Sequence, residues 1–124
     1  MDEHILYRGP QRIIEVAVLA DRSAPAAEFL LALSDGDKAK MYALFKRLGD
    51  IGLINNKEKF KKIEGTNFYE FKSFQIRMPC FFEPGKRVIV THGFRKQGDK
   101  IPRSEIERAI RIREQRVEMR GDAT

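Results

Sequence analysis

Glu70, Lys72 and Arg77, followed by Arg95, Lys96 and Lys100, are the residues of this chain whose types and spacing suit work on a phosphodiester. RNA carries its own nucleophile, the 2′-hydroxyl. A protein that cleaves it must help deprotonate that group, stabilise the crowded anionic phosphate and protonate the departing 5′-oxygen. Lysine, arginine, glutamate, tyrosine and histidine can each take one of these tasks. The same cations can instead hold a nucleic-acid backbone without cutting it, arginine bidentately and lysine as a point charge. They can also form a protein-contact or simply solvated surface, and the residues alone leave these three readings open. Glu70 is an ion-pair partner for a neighbouring cation or a general base. His92 is an acid or base titrating near neutrality, or a packed, hydrogen-bonded strand residue.

Other chemistries lack a starting point. The chain holds no phosphate-binding glycine loop, no dinucleotide fingerprint, no H-E-x-x-H and no G-x-S-x-G. Cys80 is the single cysteine and sits in the apolar run Met78-Pro-Cys-Phe-Phe82, which reads as a small buried hydrophobe. His4 and His92 are the two histidines, so no zinc site is expected, and no metal or other cofactor is expected.

The elements that must position these residues follow from the hydrophobic pattern. Residues 13–20, rich in β-branched side chains, read as a strand. Ser23 is a candidate N-cap, Pro25 suits a first helical turn, and Ala26, Phe29, Leu30 and Leu33 keep helical spacing. Ser34-Asp-Gly-Asp37 offers new capping oxygens for a second helix with Met41, Leu44, Phe45 and Leu48 on one stripe and Gly49 at its C′ position. Residues 51–66 read as a basic connector. The period then becomes two in 67–73, 75–82 and 86–94, three strands of an antiparallel meander, the last two joined by Glu83-Pro-Gly85. Pro79 implies an edge position or a bulge in the second of these. If the apolar faces of the first two pack on the helices, Glu70, Lys72 and Arg77 share the exposed face. Ser104 and Glu107 match a capping box for a final helix with Ile106, Ala109, Ile110 and Val117 on its buried stripe and i,i+4 pairs such as Glu107 with Arg111 on its charged face. The order is β-α-α-β-β-β-α, an α+β domain.

With 124 residues, 42% of them hydrophobic, one domain over 1–124 with a core at about 13–120 is expected. The net charge is +6, carried by the part after residue 50. That asymmetry points to a polyanion or an acidic protein partner. No signal-peptide pattern opens the chain and no apolar run reaches membrane-spanning length, so a cytoplasmic protein without a membrane partner is expected.

The runs Asn67-Phe-Tyr-Glu-Phe-Lys72, Ile76-Arg-Met78, Val88-Ile-Val-Thr-His-Gly-Phe-Arg-Lys96, Lys100-Ile-Pro102 and Glu105-Ile-Glu-Arg-Ala109, in this order and spacing, resemble the phage-derived HigB-like branch of the RelE/ParE toxin superfamily. The resemblance covers roughly residues 13 to 115. It implies a small RelE-like fold, a mostly antiparallel twisted sheet packed against a helical hairpin and a C-terminal helix. It also implies the toxin of a type II toxin-antitoxin pair, a ribosome-dependent endoribonuclease that cuts messenger RNA in the ribosomal A site and is neutralised by a helix-turn-helix antitoxin. On the family pattern Lys72 matches a lysine that activates the 2′-hydroxyl, Arg77 the arginine on the scissile phosphate, and Arg95 or Lys96 the arginine that assists the leaving group. Lysines 57, 59, 61 and 62, namely Lys57, Lys59, Lys61 and Lys62, together with Lys86, Arg87 and Arg103, are the expected RNA contacts. The superfamily also holds ParE-like gyrase poisons and homologues that only bind RNA or antitoxin, and these are the alternative readings.

Overall fold

The computed structural model describes residues 4–116, and Val117 of the expected final helix lies outside them. Strand β1 (Ile5–Arg8) runs antiparallel to β2 (Ile13–Val16), followed by α1 (Pro25–Leu31) and α2 (Asp35–Ile51). Strands β3 (Phe60–Lys62), β4 (Tyr69–Ser73), β5 (Ile76–Glu83), β6 (Arg87–Val90) and β7 (Phe94–Arg95) come next, and α3 (Arg103–Gln115) closes the order. The sheet runs β1-β2-β6-β5-β4-β3, with β7 pairing the start of β5. All pairings are antiparallel except β2 with β6. The fold is thus α+β with a mostly antiparallel sheet, as the pattern implied.

Three strands escape the sequence pattern. β1 is a four-residue run ahead of Gly9-Pro10. β3 has one apolar residue, Phe60, ahead of two exposed lysines, as an edge strand that resists further pairing does. It turns part of the expected connector into sheet. β7 has two residues and is defined by its partner.

Both faces of the sheet are covered. Ile14, Val16, Phe71, Ile76, Met78, Cys80, Val88 and Val90 meet Leu30 of α1 and the Met41, Leu44, Phe45 and Leu48 stripe of α2. On the other face Phe68, Phe81, Ile89 and Ala17 meet Ala109 and Ile112 of α3, with Ile106 and Ile110 packed beside them. Cys80 is fully buried, which pushes its thiol pKa up and leaves it inert.

The helix ends differ from expectation where a nearby group competes. Ser23 turns back to Asp21, donating its hydroxyl at 2.6 Å, so α1 starts after Ala24 with Pro25 in its first turn. Ser34 does cap α2, accepting the Asp37 N–H at 3.1 Å. Gly49 is inside α2 rather than beyond it, and the left-handed C-cap is Gly52 at φ 93°. Gly49 is required for contact: its carbonyl accepts the N–H groups of Gln11 and Arg12, and an added Cβ would lie 2.6 Å from the Tyr7 ring. α3 begins one residue before Ser104, which is therefore not a cap, and Glu107 pairs back to Arg103 at 3.3 Å instead of forward to Arg111.

Pro79 stands in a central strand, not at an edge. Register runs Cys80 opposite Val90 but Arg77 opposite Phe94, so three residues, Thr91 to Gly93, face Met78 and Pro79. The bulge is therefore on the facing chain, where Pro79 has no N–H to offer; its carbonyl accepts the Thr91 N–H at 2.9 Å.

Candidate functional site

The β4–β5 hairpin sets the site. Its two-residue turn places Ser73 opposite Ile76, Lys72 opposite Arg77 and Glu70 opposite Pro79, and β3 brings Lys61 opposite Glu70. Alternation then puts Lys61, Glu70, Lys72 and Arg77 on one face, as expected for the last three. That face is not open water, however. Glu70 is 7% and Arg77 8% exposed, because the second side of the sheet carries its own core under α3.

Arg77 folds back along its own hairpin. One guanidinium nitrogen donates to the carbonyls of Phe74 and Ile76, the former in a turn residue at φ 55°. Its Nε lies 3.9 Å from Glu70 Oε1, and neither atom has a hydrogen-bond partner among the described residues. Burial raises the Glu70 pKa, while Arg77, Lys72, Lys96 and Lys61 act against that rise. The Lys72 pKa is lowered, first by burial and then by repulsion from Arg77 and Lys61. The two shifts converge, bringing a carboxylate and an amine toward the range where proton transfer is efficient.

The last strand separates two residues that the sequence left as alternatives. Arg95 stands opposite Ile76, on the α1 and α2 side, and reaches Asp37 of α2 at 3.7 Å. Lys96 follows on the Glu70 side, its backbone N–H bound to the Gln75 carbonyl and its ammonium to the Asp99 carbonyl at 2.6 Å. The structure therefore gathers Lys61, Lys72, Arg77 and Lys96 around Glu70 and does not bring Arg95 there. Lys100 lies in the exposed loop before α3.

His92 is fully buried and stacked on Phe94. Thr91 Oγ1 lies 2.9 Å from its Nδ1 and Glu105 Oε1 2.9 Å from its Nε2. Burial lowers its pKa to about 4, against the opposing effect of its hydrogen bond to Glu105. A neutral ring facing a carboxylate carries its proton on Nε2 and donates it to Glu105, leaving Nδ1 beside a Thr91 hydroxyl that also lies 3.2 Å from the Pro79 carbonyl. His92 thus clips the bulge to α3 and has no exposed surface.

Of the expected RNA contacts, Lys57, Lys59, Lys61, Lys62 and Arg103 are exposed. Lys86 bonds the Pro10 carbonyl at 3.3 Å. Arg87 is different: its guanidinium is bidentate to Glu15 at 2.6 and 2.9 Å and meets Glu83 at 2.9 Å, so it is an internal ion-pair residue. Arg12, at the edge of the lysine-rich groove beside β3, had no sequence signal, because it precedes a strand without any motif. No cluster of His, Cys, Asp and Glu able to hold a metal occurs among the described residues, and none of their helices is long and apolar enough to cross a membrane.

A family model matches residues 28–114, a span that contains α2, the hairpin, Lys96 and nearly all of α3: phage derived protein Gp49-like (DUF891). The chain belongs to the Gp49-like family. This membership bears out the phage-derived branch to which the sequence resemblance pointed. No curated protein sequence matches the chain. Among solved structures, the Gp49-like chain is similar to one from the RelB-RelE antitoxin-toxin complex of Methanococcus jannaschii. The identity is 16% and the TM-score 0.49, over 66% of this chain and 88% of that one.

Proposed function

We propose that this Gp49-like protein is the toxin of a toxin-antitoxin pair and an endoribonuclease that cuts messenger RNA in the ribosomal A site. The observation that carries the reading is the convergence of Lys61, Lys72, Arg77 and Lys96 on one sheet face around the buried Glu70. Lys72 is the partly accessible member with a lowered pKa. In its neutral form it accepts the 2′-hydroxyl proton; the 2′-oxygen attacks phosphorus and the 5′-oxygen leaves, yielding a cyclic phosphate. Lys96 and Lys61 stabilise the phosphate charge and Lys96 assists the leaving oxygen. Arg77 acts from below the surface, fixing the hairpin turn and adding positive potential. The nucleophile belongs to the RNA, so the scheme asks for no metal. Family membership supports a neighbouring antitoxin as partner, and the sequence resemblance makes it a helix-turn-helix protein. The ribosome, messenger RNA and a cytoplasmic setting complete the proposal.

The test is induction in a bacterial host with mapping of messenger 5′ ends, with and without translation of the message. Translation-dependent cuts are expected, reduced about 10²- to 10⁴-fold in Lys72→Ala and clearly in Lys96→Ala, both still folded by circular dichroism. Intact messages accompanied by gyrase-linked DNA breaks would instead establish a gyrase poison.

A further inference from the structure

At the β3 edge of the sheet, with its aromatic floor on the face opposite Glu70 and Arg77, a groove of about 650 Å³ opens between the end of α2, the segment leading into β3 and strands β3 to β5. Its floor is aromatic. Phe60 and Tyr69 stack with centroids 5.4 Å apart and planes 8° from parallel, and Phe82 meets Tyr69 edge-on at 5.0 Å. Phe82 remains 36% exposed and Leu53, at the groove wall, 52%. The rim is cationic: Arg12, Lys57, Lys61, Lys62 and Lys72 line it, against Glu58 as its carboxylate. Arg12 is fixed in place by its bond to the Gly52 carbonyl at 2.9 Å, with its guanidinium 4.7 Å over the Phe82 ring.

Part-exposed aromatic surface beside a cationic rim suits a ligand that meets both features. That ligand is planar, apolar on its faces and anionic at its edge, which describes a nucleotide of single-stranded RNA; bases inside a duplex present no free face. We propose that the groove is a base-binding subsite, one unpaired base seated against the part-exposed Tyr69 and Phe82, which the buried Phe60 backs, with flanking phosphates on Lys57 and Lys62. Lys72 links it to the reaction centre, because its ammonium donates to the Lys57 carbonyl at 3.2 Å on the groove edge. A strand leaving the groove passes Lys72 first. The inference thus deepens the nuclease reading by naming where the substrate is held beside the cut, and it rests on that reading for this link.

The test uses the full chain and a 2′-O-methyl hexaribonucleotide, which cannot be cleaved, next to an abasic hexamer of equal charge. The base-bearing oligomer is expected to shift the ring resonances of Phe60, Tyr69 and Phe82 and to bind roughly tenfold tighter than the abasic one, about 1.4 kcal/mol. Phe82→Ala should abolish that difference, and Lys62→Glu, at an exposed edge position, should weaken both oligomers. Equal binding of the two oligomers, or binding that leaves the rings unmoved, overturns the subsite. An oligoglutamate peptide that shifts the rings as strongly makes the groove a protein-docking surface and overturns it too. Cleavage is read separately: base-dependent ring shifts in a chain that cuts no message sustain the subsite and refute the nuclease, whereas message cutting without ring shifts does the reverse.

Discussion

Glu70 and Lys72 exert opposite effects on one another: the carboxylate raises the lysine pKa and the ammonium lowers the acid's. Glu70→Gln therefore removes a charge that holds the Lys72 proton. If Lys72 must be neutral to accept the 2′-hydroxyl proton, the rise of the cleavage rate with pH moves to lower pH in this variant. A pH–rate profile on a translated message checks it, and a shift to higher pH would assign the base elsewhere. His92 gives a second residue-scale prediction, on stability. Its pKa is near 6.5 when unfolded and about 4 when folded, so the unfolded chain takes up the proton first as pH falls. The stability from the neutral ring is complete above about pH 6.5 and is lost progressively toward pH 4, by roughly 2 to 3 kcal/mol. Urea unfolding at pH 7.5 and 4.5 should show this loss in the native chain and not in His92→Asn; equal losses would clear His92 as the source.

At the scale of elements, glycine position decides between packing and propensity. Gly49 is wedged where α2 meets the β1–β2 hairpin, while Gly36, in the first turn of the same helix, has nothing within 4 Å of an added Cβ. Gly49→Ala should destabilise by about 1 to 2 kcal/mol despite alanine's better helix propensity, and Gly36→Ala should be neutral or stabilise by up to about 1 kcal/mol. Thermal unfolding of the two variants tests the contrast, and two changes of the same sign would contradict it. The elements also show what was legible. The α2 stripe, the meander and its Pro-Gly turn followed from period and turn chemistry. Gly49 looked like a helix end because a local pattern carries no trace of Tyr7. The register that unites Lys61 with Glu70 was equally invisible, since β3 offers one apolar residue. Glu70, Lys72 and Arg77 fall on one face as the alternation implied, but the exposure of Glu70 and Arg77 was misjudged, because nothing local announces that a helix covers the second side of a sheet.

At the scale of the molecule, an ion-pair network joins distant parts of the chain. Glu15 on β2 is held by Arg87 on β6, and Glu83 on β5 is shared between Arg87 and Arg116 just past α3. Arg87→Ala would leave Glu15, 3% exposed, with its main counter-charge gone. A stability loss of about 3 to 5 kcal/mol is expected from denaturant titration; a loss below about 1 kcal/mol would show the network to be dispensable.

The parallel pairing of β2 with β6 sets a condition on when this protein comes into being. Glu15 and Arg87 are 72 residues apart in sequence, and the strands that carry them lie side by side near the middle of the sheet. Closing so long a loop precedes any return from the contacts it creates. While the chain is still being synthesised, β2 has no partner on its inner edge until β6 has left the exit tunnel. Neither core can close before then, and the cluster around Glu70 stays unassembled. On the nuclease reading proposed above, the nascent chain therefore carries no assembled site until β6 has emerged.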